Sequence, residues 1–532
     1  MKQIEAVVAN INDLNDGEMR QVAVGETEIL LTRLDGKFHA VGAHCSHYKA
    51  PLAEGVLSGH HVVCPWHNAY FDVTTGDQLE PPGLDSLACY QVRIEGENVI
   101  VSVPEETTGL RSPAMAQFNP DADKRTFVIL GAGAAGVHAA ETLRVAGYQG
   151  RIVMITQDDK LPYDRTKLSK DYFIGETSSE EMPLRSPDFY KEHAIEVLLN
   201  KRVEQVQTTA KAIAFTNGDS LNYDALLVAT GGKPLQLDIP GADLQNILTL
   251  RSFDDTDRIL TLSKQKGQAV VIGSSFIGME TAAGLSQHGL QVTVVSPDSV
   301  PFKKTLGEEI GKIFQQVHEE NGVSFKLGRK AVKFEGSDKV EAVILDNGDR
   351  LKADIVIVGI GVQPATDFLE GIDLHPKDGS VVVDEYLRAA DGIYAAGDIA
   401  RYPDWRTSES LRVEHWRVAA QQGRIAAHNM AGKAVKFRGL PLFWTMQFKF
   451  PLRYIGHAES WDEIIVDGDL QKQEFIAFYV KNNQVLAVAT SHKDTETAAI
   501  SELMRLNQML TVEELRRGTV DLIQRQPVNN KQ

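Results

Sequence analysis

The sequence predicts a multidomain chain: an all-β domain first, two related α/β units next, and a small α/β domain last. Three observations carry this. The first hundred or so residues are short β-branched runs separated by turn dipeptides. Two later stretches each run apolar strand, glycine turn, apolar-faced helix, apolar strand. Between these regions lies a stretch holding Pro104, Gly109, Pro113 and Pro120, without periodicity.

Residues 29–33 and 37–41 flank Asp35-Gly36, and residues 91–95 and 99–103 flank Gly96-Glu97-Asn98; both read as hairpins. Residues 104–123 read as an irregular linker. The first α/β unit has strands at 126–130 and 151–155 around a helix at 134–146. The second has strands at 270–272 and 292–295 around a helix at 276–287. Aligning Gly131 with Gly273 also aligns Gly136 with Gly278, Ala140 with Ala282 and Leu143 with Leu285, so one chain carries two similar βαβ units. Further buried strands are expected at 225–230, 355–358 and 393–396. Near the end, 475–481 and 485–489 flank Asn482-Asn483, followed by a helical stretch over 494–508.

With 532 residues, 43% hydrophobic and 24% charged, the chain has the composition of a globular protein of roughly three to four domains. A net charge of −17 argues against nucleic acid or an anionic membrane as partner. No apolar run is long enough to span a bilayer, and Met1-Lys2-Gln3-Ile4-Glu5 lacks the apolar core of a signal peptide. A cytoplasmic location is therefore expected.

The chain has three cysteines, Cys45, Cys64 and Cys89, and no C-x-x-C, which excludes a redox dithiol within one motif. Cys45-Ser46-His47 and Cys64-Pro65-Trp66-His67 each supply one thiolate and one imidazole. Two thiolates on one iron and two imidazoles on the other make a Rieske [2Fe–2S] site, with Cys45, His47, Cys64 and His67 as ligands. Tetrahedral zinc takes the same four groups, but its motifs usually pair cysteine with cysteine and histidine with histidine along the chain. Zinc or a degenerate site stays the alternative. Cys89 has no histidine neighbour and reads as a buried structural thiol.

Gly131-Ala132-Gly133-Ala134-Ala135-Gly136 is a G-x-G-x-x-G between strand and helix, the Rossmann dinucleotide fingerprint. Its glycines make the turn, admit the pyrophosphate and pack helix on strand. The acidic residue expected after the next strand is displaced, Gln157 preceding Asp158. In the second copy Ser275 replaces the middle glycine, where a Cβ crowds the pyrophosphate. Ser296 stands where a ribose-reading carboxylate is usual, and Lys303 and Lys304 follow without an arginine. Weak discrimination between NADH and NADPH, leaning to NADH, is expected.

Further segments complete a pattern: Leu161-Pro162-Tyr163-Asp164-Arg165 with Leu168-Ser169-Lys170, Ala229-Thr230-Gly231-Gly232-Lys233-Pro234, Ala395-Ala396-Gly397-Asp398, Glu414-His415-Trp416 and Phe443-Trp444-Thr445. In order and spacing, residues 124–532 resemble the ferredoxin-reductase-type FAD-dependent pyridine nucleotide oxidoreductases, and residues 1–104 resemble Rieske ferredoxins. The whole chain resembles the Rieske-containing branch of the apoptosis-inducing-factor-like oxidoreductases, including the run Leu452-Arg453-Tyr454.

The resemblance implies an N-terminal all-β Rieske [2Fe–2S] domain (1–104), a linker (105–123), and α/β FAD- and NAD(P)-binding Rossmann-like domains. The FAD domain would span 124–250 and 375–437, the NAD(P) domain 251–374, and a small α/β C-terminal reductase or dimerisation-like domain 438–532. The implied cofactors are FAD, the cluster and NAD(P)H. The implied cofactor-binding set is Gly131, Gly133, Gly136, Asp158, Arg165, Lys170, Val203, Thr230, Gly231, Asp398, His415, Trp416, Trp444, Gly273, Phe276, Gly278 and Glu280. Phe276 would lie beside the flavin, and Lys170 and Glu280 would pair there as the catalytic residues.

Respiratory Rieske proteins carry an extra cysteine where this chain has Ala50 and Trp66, and a hydroxyl donor where it has Ala69, so a low-potential ferredoxin-type cluster is implied. The implied activity passes electrons from NAD(P)H through FAD to the cluster. They would leave from an exposed His47–His67 edge to a one-electron acceptor, an oxygenase or another redox protein. A redox-gated interaction or sensor protein and an NAD(P)H oxidase are the rival readings. The oxidase is disfavoured because no cysteine lies beyond Cys89. A homodimer is left open.

Overall fold

The computed structural model describes residues 2–518 and 522–523; of the expected C-terminal domain, residues 519–521 and 524–532 lie outside the described part. A six-stranded antiparallel sheet opens the chain, in the order Gln3–Asn10, Asn98–Pro104, Cys89–Glu95, Lys37–Gly42, Thr27–Leu34, Met19–Val24. Both expected hairpins are present. Asp35 and Gly36 have φ of 50° and 74°, the left-handed pair that a tight two-residue turn requires. A second sheet, Val56–Ser58, His61–Val63, Tyr70–Asp72 and Gln78–Glu80, packs Leu57, Val62 and Phe71 against Leu30, Val41 and Leu87.

The segment expected to be an irregular linker is tied down on both sides. Leu110–Arg111 pairs with Ser86–Leu87, and Gly109 lies so close to Gly42 that a Cβ there would sit 2.1 Å from the Gly109 carbonyl oxygen. Further on, the Ala116 and Asn119 amides donate to the carbonyls of Arg144 and Gln149 at 2.9 Å.

The first α/β unit is a six-stranded sheet, Ile195–Leu198, Arg151–Ile155, Thr126–Leu130, Ala225–Val228, Ile393–Ala395 and Arg388–Ala390, parallel except at the last pair. The second is a five-stranded parallel sheet, Ile247–Leu248, Ile355–Val358, Gln268–Ile272, Gln291–Ser296 and Ser324–Leu327. Strands buried on both faces explain why these runs are continuously apolar. The helices Ala134–Val145 and Phe276–Gln287 fall where the repeat put them. The last domain is a five-stranded antiparallel sheet of Leu442–Gln447, Phe450–Gly456, Gln484–Ser491, Glu474–Lys481 and Glu463–Asp469. Its helix Asp494–Arg505 stops three residues short of the expected end, and Asn507 takes a φ of 55°.

The helix Trp416–Met430 joins the parts. It packs on Ala134–Val145 so closely that a Cβ on Gly423 would meet the Ala135 carbonyl oxygen at 2.1 Å. Arg417, Gln421 and Arg424 share one stripe of this helix at helical spacing. They bond to Pro81 O, Glu80 and Gln78 of the N-terminal domain at 3.0, 2.7 and 2.8 Å.

Candidate functional site

Two loops of the N-terminal domain have the same hydrogen-bond pattern. In one, the Cys45 amide donates to Ala50 O at 2.9 Å and the Lys49 amide to Cys45 O at 3.0 Å. In the other, the Cys64 amide donates to Ala69 O at 2.9 Å and the Asn68 amide to Cys64 O at 3.2 Å. Lys49 and Asn68 close the loops at φ of 57° and 53°. The two thiols, 2% and 1% exposed, hydrogen-bond each other, which pushes Cys45 up and holds Cys64 down against the opposing effect of burial.

The imidazoles face each other, Nδ1 to Nδ1 at 3.1 Å. One metal ion can span that gap from both sides, since metal–imidazole bonds are about 2.0–2.1 Å. Burial keeps both rings neutral, His47 pushed down to about 4 and His67 well below its free value, as ligation requires. Among the described residues, no three His, Cys, Asp or Glu converge to hold a single ion. Zinc needs such convergence; a two-iron cluster needs one pair of thiols and one pair of imidazoles. The four residues fit the cluster. Cys89, expected buried, is exposed on the strand that pairs with Val41.

The imidazole edge is not free, contrary to expectation. Trp444, from the C-terminal sheet, lies 4.2 Å from the His67 ring and 5.7 Å from that of His47. Tyr48 completes the cover, its hydroxyl 3.4 Å from Asp164. Side chains alternate along a strand. Trp444 therefore faces the cluster loops, while its neighbour Thr445 turns the other way and donates to Glu280 at 2.7 Å. Glu280, its side chain 3% exposed, also accepts from Ser169 and holds Lys170 at 3.0 Å. Phe276 packs on Phe443 at 4.4 Å and on Phe302, and Phe443 meets His415 at 4.6 Å. Burial pushes the His415 imidazole down to about 3. The next residue, Trp416, packs partly buried against the core of the first unit.

The nucleotide loops are preserved in both copies. Gly131 and Gly273 each take φ 109°, and a Cβ on either would lie 2.1 or 2.2 Å from the facing carbonyl, Ala229 or Gly359. A Cβ on Gly136 or Gly278 would meet the turn glycine's carbonyl, so each packs helix on strand. Gly133 opens onto space with nothing within 4 Å, at the start of a helix without a side-chain cap, a cradle for a pyrophosphate. Ser275 has nearly the same backbone, and its hydroxyl turns aside to Gly359 O at 3.0 Å. Around the first copy, Arg165 pairs with Asp158 at 2.8 Å and Arg251 with Asp398 at 2.9 Å. Thr230 donates to Ala365 O at 2.8 Å, and Gly231 (φ 66°) lies beside Arg251 and Asp398. Val203 starts the strand after Asn200, whose amide donates to Asp158 O at 3.0 Å.

Comparison with known proteins gives three matches along the chain. Residues 5–91 match the Rieske [2Fe-2S] domain, 125–423 the pyridine nucleotide-disulphide oxidoreductases and 442–524 the reductase C-terminal domain. The chain belongs to the pyridine nucleotide-disulphide oxidoreductase family. This oxidoreductase is 39% identical to Homo sapiens apoptosis-inducing factor 3 over 512 residues, 94% of this chain and 84% of the human protein. It is 32% identical to Pseudomonas putida putidaredoxin reductase over 376 residues, 69% of this chain and 89% of that one. Among solved structures, the covalent putidaredoxin reductase–putidaredoxin complex superposes with a TM-score of 0.70 at 30% identity, covering 74% of this chain and 96% of that chain. The oxidoreductase carries electrons from NAD(P)H through FAD to a Rieske [2Fe–2S] cluster.

Four residues that the structure brings to the candidate sites or to the boundary beside them were given no role from the sequence: Arg251, Asp298, Arg417 and Arg453. Asp298 was legible. The Asp298 amide donates to the Ser296 hydroxyl at 3.3 Å, as the Asp158 amide donates to that of Thr156 at 3.1 Å. The carbonyls match too: Ser296 O and Asp298 O accept from Arg329 and Gly328, as Thr156 O and Asp158 O accept from Lys201 and Asn200. Ser296 itself is 1% exposed and bonded to Ser274, so it does not face a ligand.

Proposed function

We propose that the electrons pass from flavin to cluster within one chain by way of Trp444, and go on to a separate one-electron redox protein. The observation that carries this is the contact of Trp444 with His67, ring centres 4.2 Å apart and tilted by 46°, one residue from Thr445, which binds the Lys170–Glu280 pair. FAD held there would supply two-electron hydride chemistry with one-electron release, and a cluster on the four ligands would supply one-electron carriage. Gly131, Gly133 and Gly136 seat the FAD pyrophosphate, with Asp158, Arg165, Val203, Thr230, Gly231 and Asp398 around it. Gly273 and Gly278 serve the nicotinamide nucleotide. Lys170, held in place by Glu280 at 3.0 Å, would present a cation to a bound flavin. Phe276, His415, Trp416 and Trp444 wall off water.

Asp298, standing in the second copy where Asp158 stands in the first, takes the ribose hydroxyls and favours NADH. The reading extends to a cytoplasmic, homodimeric protein whose C-terminal domain supplies the contact; sedimentation at micromolar concentration checks the assembly.

The function is tested with Cys45→Ser. The variant should lose the cluster and all reduction of a protein acceptor. It should keep FAD and NADH-dependent reduction of a small dye. A cluster-free variant that reduced its protein acceptor at the normal rate would refute the route.

A further inference from the structure

Hydride transfer makes no use of Arg453, yet its side chain is only 10% exposed. It lies directly across the strand pair from Trp444, and so on the same face of the C-terminal sheet. Its Nε donates to the Trp66 carbonyl at 2.8 Å, and Trp66 sits in the chain between the ligands Cys64 and His67. One counter-charge is close, Asp494 at 2.7 Å, whose side chain is 39% exposed against 10% for Arg453. The N-terminal domain supplies no carboxylate to Arg453; it offers only a carbonyl.

We propose that Arg453 sets the reduction potential of the cluster from across the domain boundary, its positive charge favouring the cluster that has accepted an electron. This rests on the reading that a cluster occupies the four ligands. The step adds one electron from the flavin and makes or breaks no covalent bond, so the cluster loop gains one unit of negative charge. A buried cation facing that loop stabilises it more than a hydrated one would. Coupling of this kind is reciprocal. Docking makes the cluster a better acceptor, and reduction tightens docking, so the docked form receives electrons and the released form is the stronger donor.

The test is the cluster's midpoint potential, read by EPR-monitored redox titration of the full-length holoprotein. Arg453→Gln should bind the electron about tenfold less well, a fall of about 59 mV. Arg453→Lys should keep most of the wild-type value, because it keeps the charge. Asp494→Asn, which removes the counter-charge, should move the potential up. A folded, fully loaded Arg453→Gln protein with an unshifted potential overturns the proposal, as does a Lys variant that falls as far as Gln. If Arg453→Gln does not fold, Asp494→Asn decides: a rise supports the proposal, and no change or a fall overturns it. Absence of any cluster signal in the wild type would instead overturn the underlying reading.

Discussion

Replacing Arg417 with methionine should loosen the hold of the reductase on its cluster domain. The side chain is 2% exposed, and its three donor groups reach Pro81 O at 3.0 Å, Asn68 O at 2.9 Å and Leu440 O at 3.0 Å. The nearest carboxylate, Glu80, is 3.9 Å away, so carbonyls carry most of the load. Two of the three bonds cross into the cluster domain, and charge-assisted bonds contribute about 1.5–3 kcal/mol each. Relief of the buried guanidinium offsets part of that sum. A net loss of about 3 kcal/mol, roughly a hundredfold in the docking equilibrium, is the expected result. Methionine keeps the volume and lacks the donors, so packing should survive. The assay is hydrogen exchange over 105–123, whose amides are tied to both sides, with single-turnover electron transfer from flavin to cluster. Exchange should quicken and transfer should slow. Wild-type protection together with a wild-type transfer rate would refute the reasoning.

Asp298→Asn should shift the kcat/KM ratio towards NADPH by about tenfold or more, because the carboxylate that repels a 2′-phosphate is gone; an unchanged ratio places ribose reading elsewhere. Glu280→Gln leaves Lys170 beside a neutral amide, and breaking such a buried pair costs about 3–5 kcal/mol, less some screening at the partly exposed lysine. Flavin should then be released at a lower temperature, and adding Lys170→Met should recover part of the loss. His138 is 4% exposed, and burial pushes it to about 3 from a free value of 6.5. The unfolded chain therefore binds the extra proton in that interval, so stability is fully present above pH 6.5 and is lost as the pH falls towards 3. At pH 5 the loss is roughly 2 kcal/mol. A pH–stability slope left unchanged by His138→Asn would contradict this.

The parts legible in the sequence were those fixed by local backbone demands. Gly131 and Gly273 need a positive φ and a close carbonyl, and Asp35-Gly36 needs two left-handed residues, so spacing alone located these turns. The cluster ligands were legible because each loop carries its own Cys and His. Domain docking was not legible. Arg417 and Arg453 bond to carbonyls, and a carbonyl leaves no mark on residue type, so nothing in the sequence paired them with Asn68 or Trp66. The covered imidazole edge follows from the same contacts, and so do the anchored residues 105–123. Cys89 was misread because apolar neighbours were taken to mean burial, whereas it sits on the strand face turned away from the core. Asp298 was missed because the ribose-reading position was placed at Ser296, two residues too early, and the alignment of the two copies was carried only to Leu143 and Leu285.

The later domains that dock against the cluster loops lie far along the chain from them. Arg417 is 349 positions from Asn68, and Arg453 is 387 positions from Trp66. At about 5–20 residues per second, a ribosome takes roughly 20–70 s to cover that stretch. The first hundred or so residues include both ligand loops and a sheet complete in itself, so they can fold as they emerge. Throughout that interval Trp444, which covers the two histidines in the full chain, has not yet been made. Synthesis of the last quarter of the chain closes the opening. The order of the domains along the chain thus gives the ligand loops a period for loading the metal before the domains that dock on them exist.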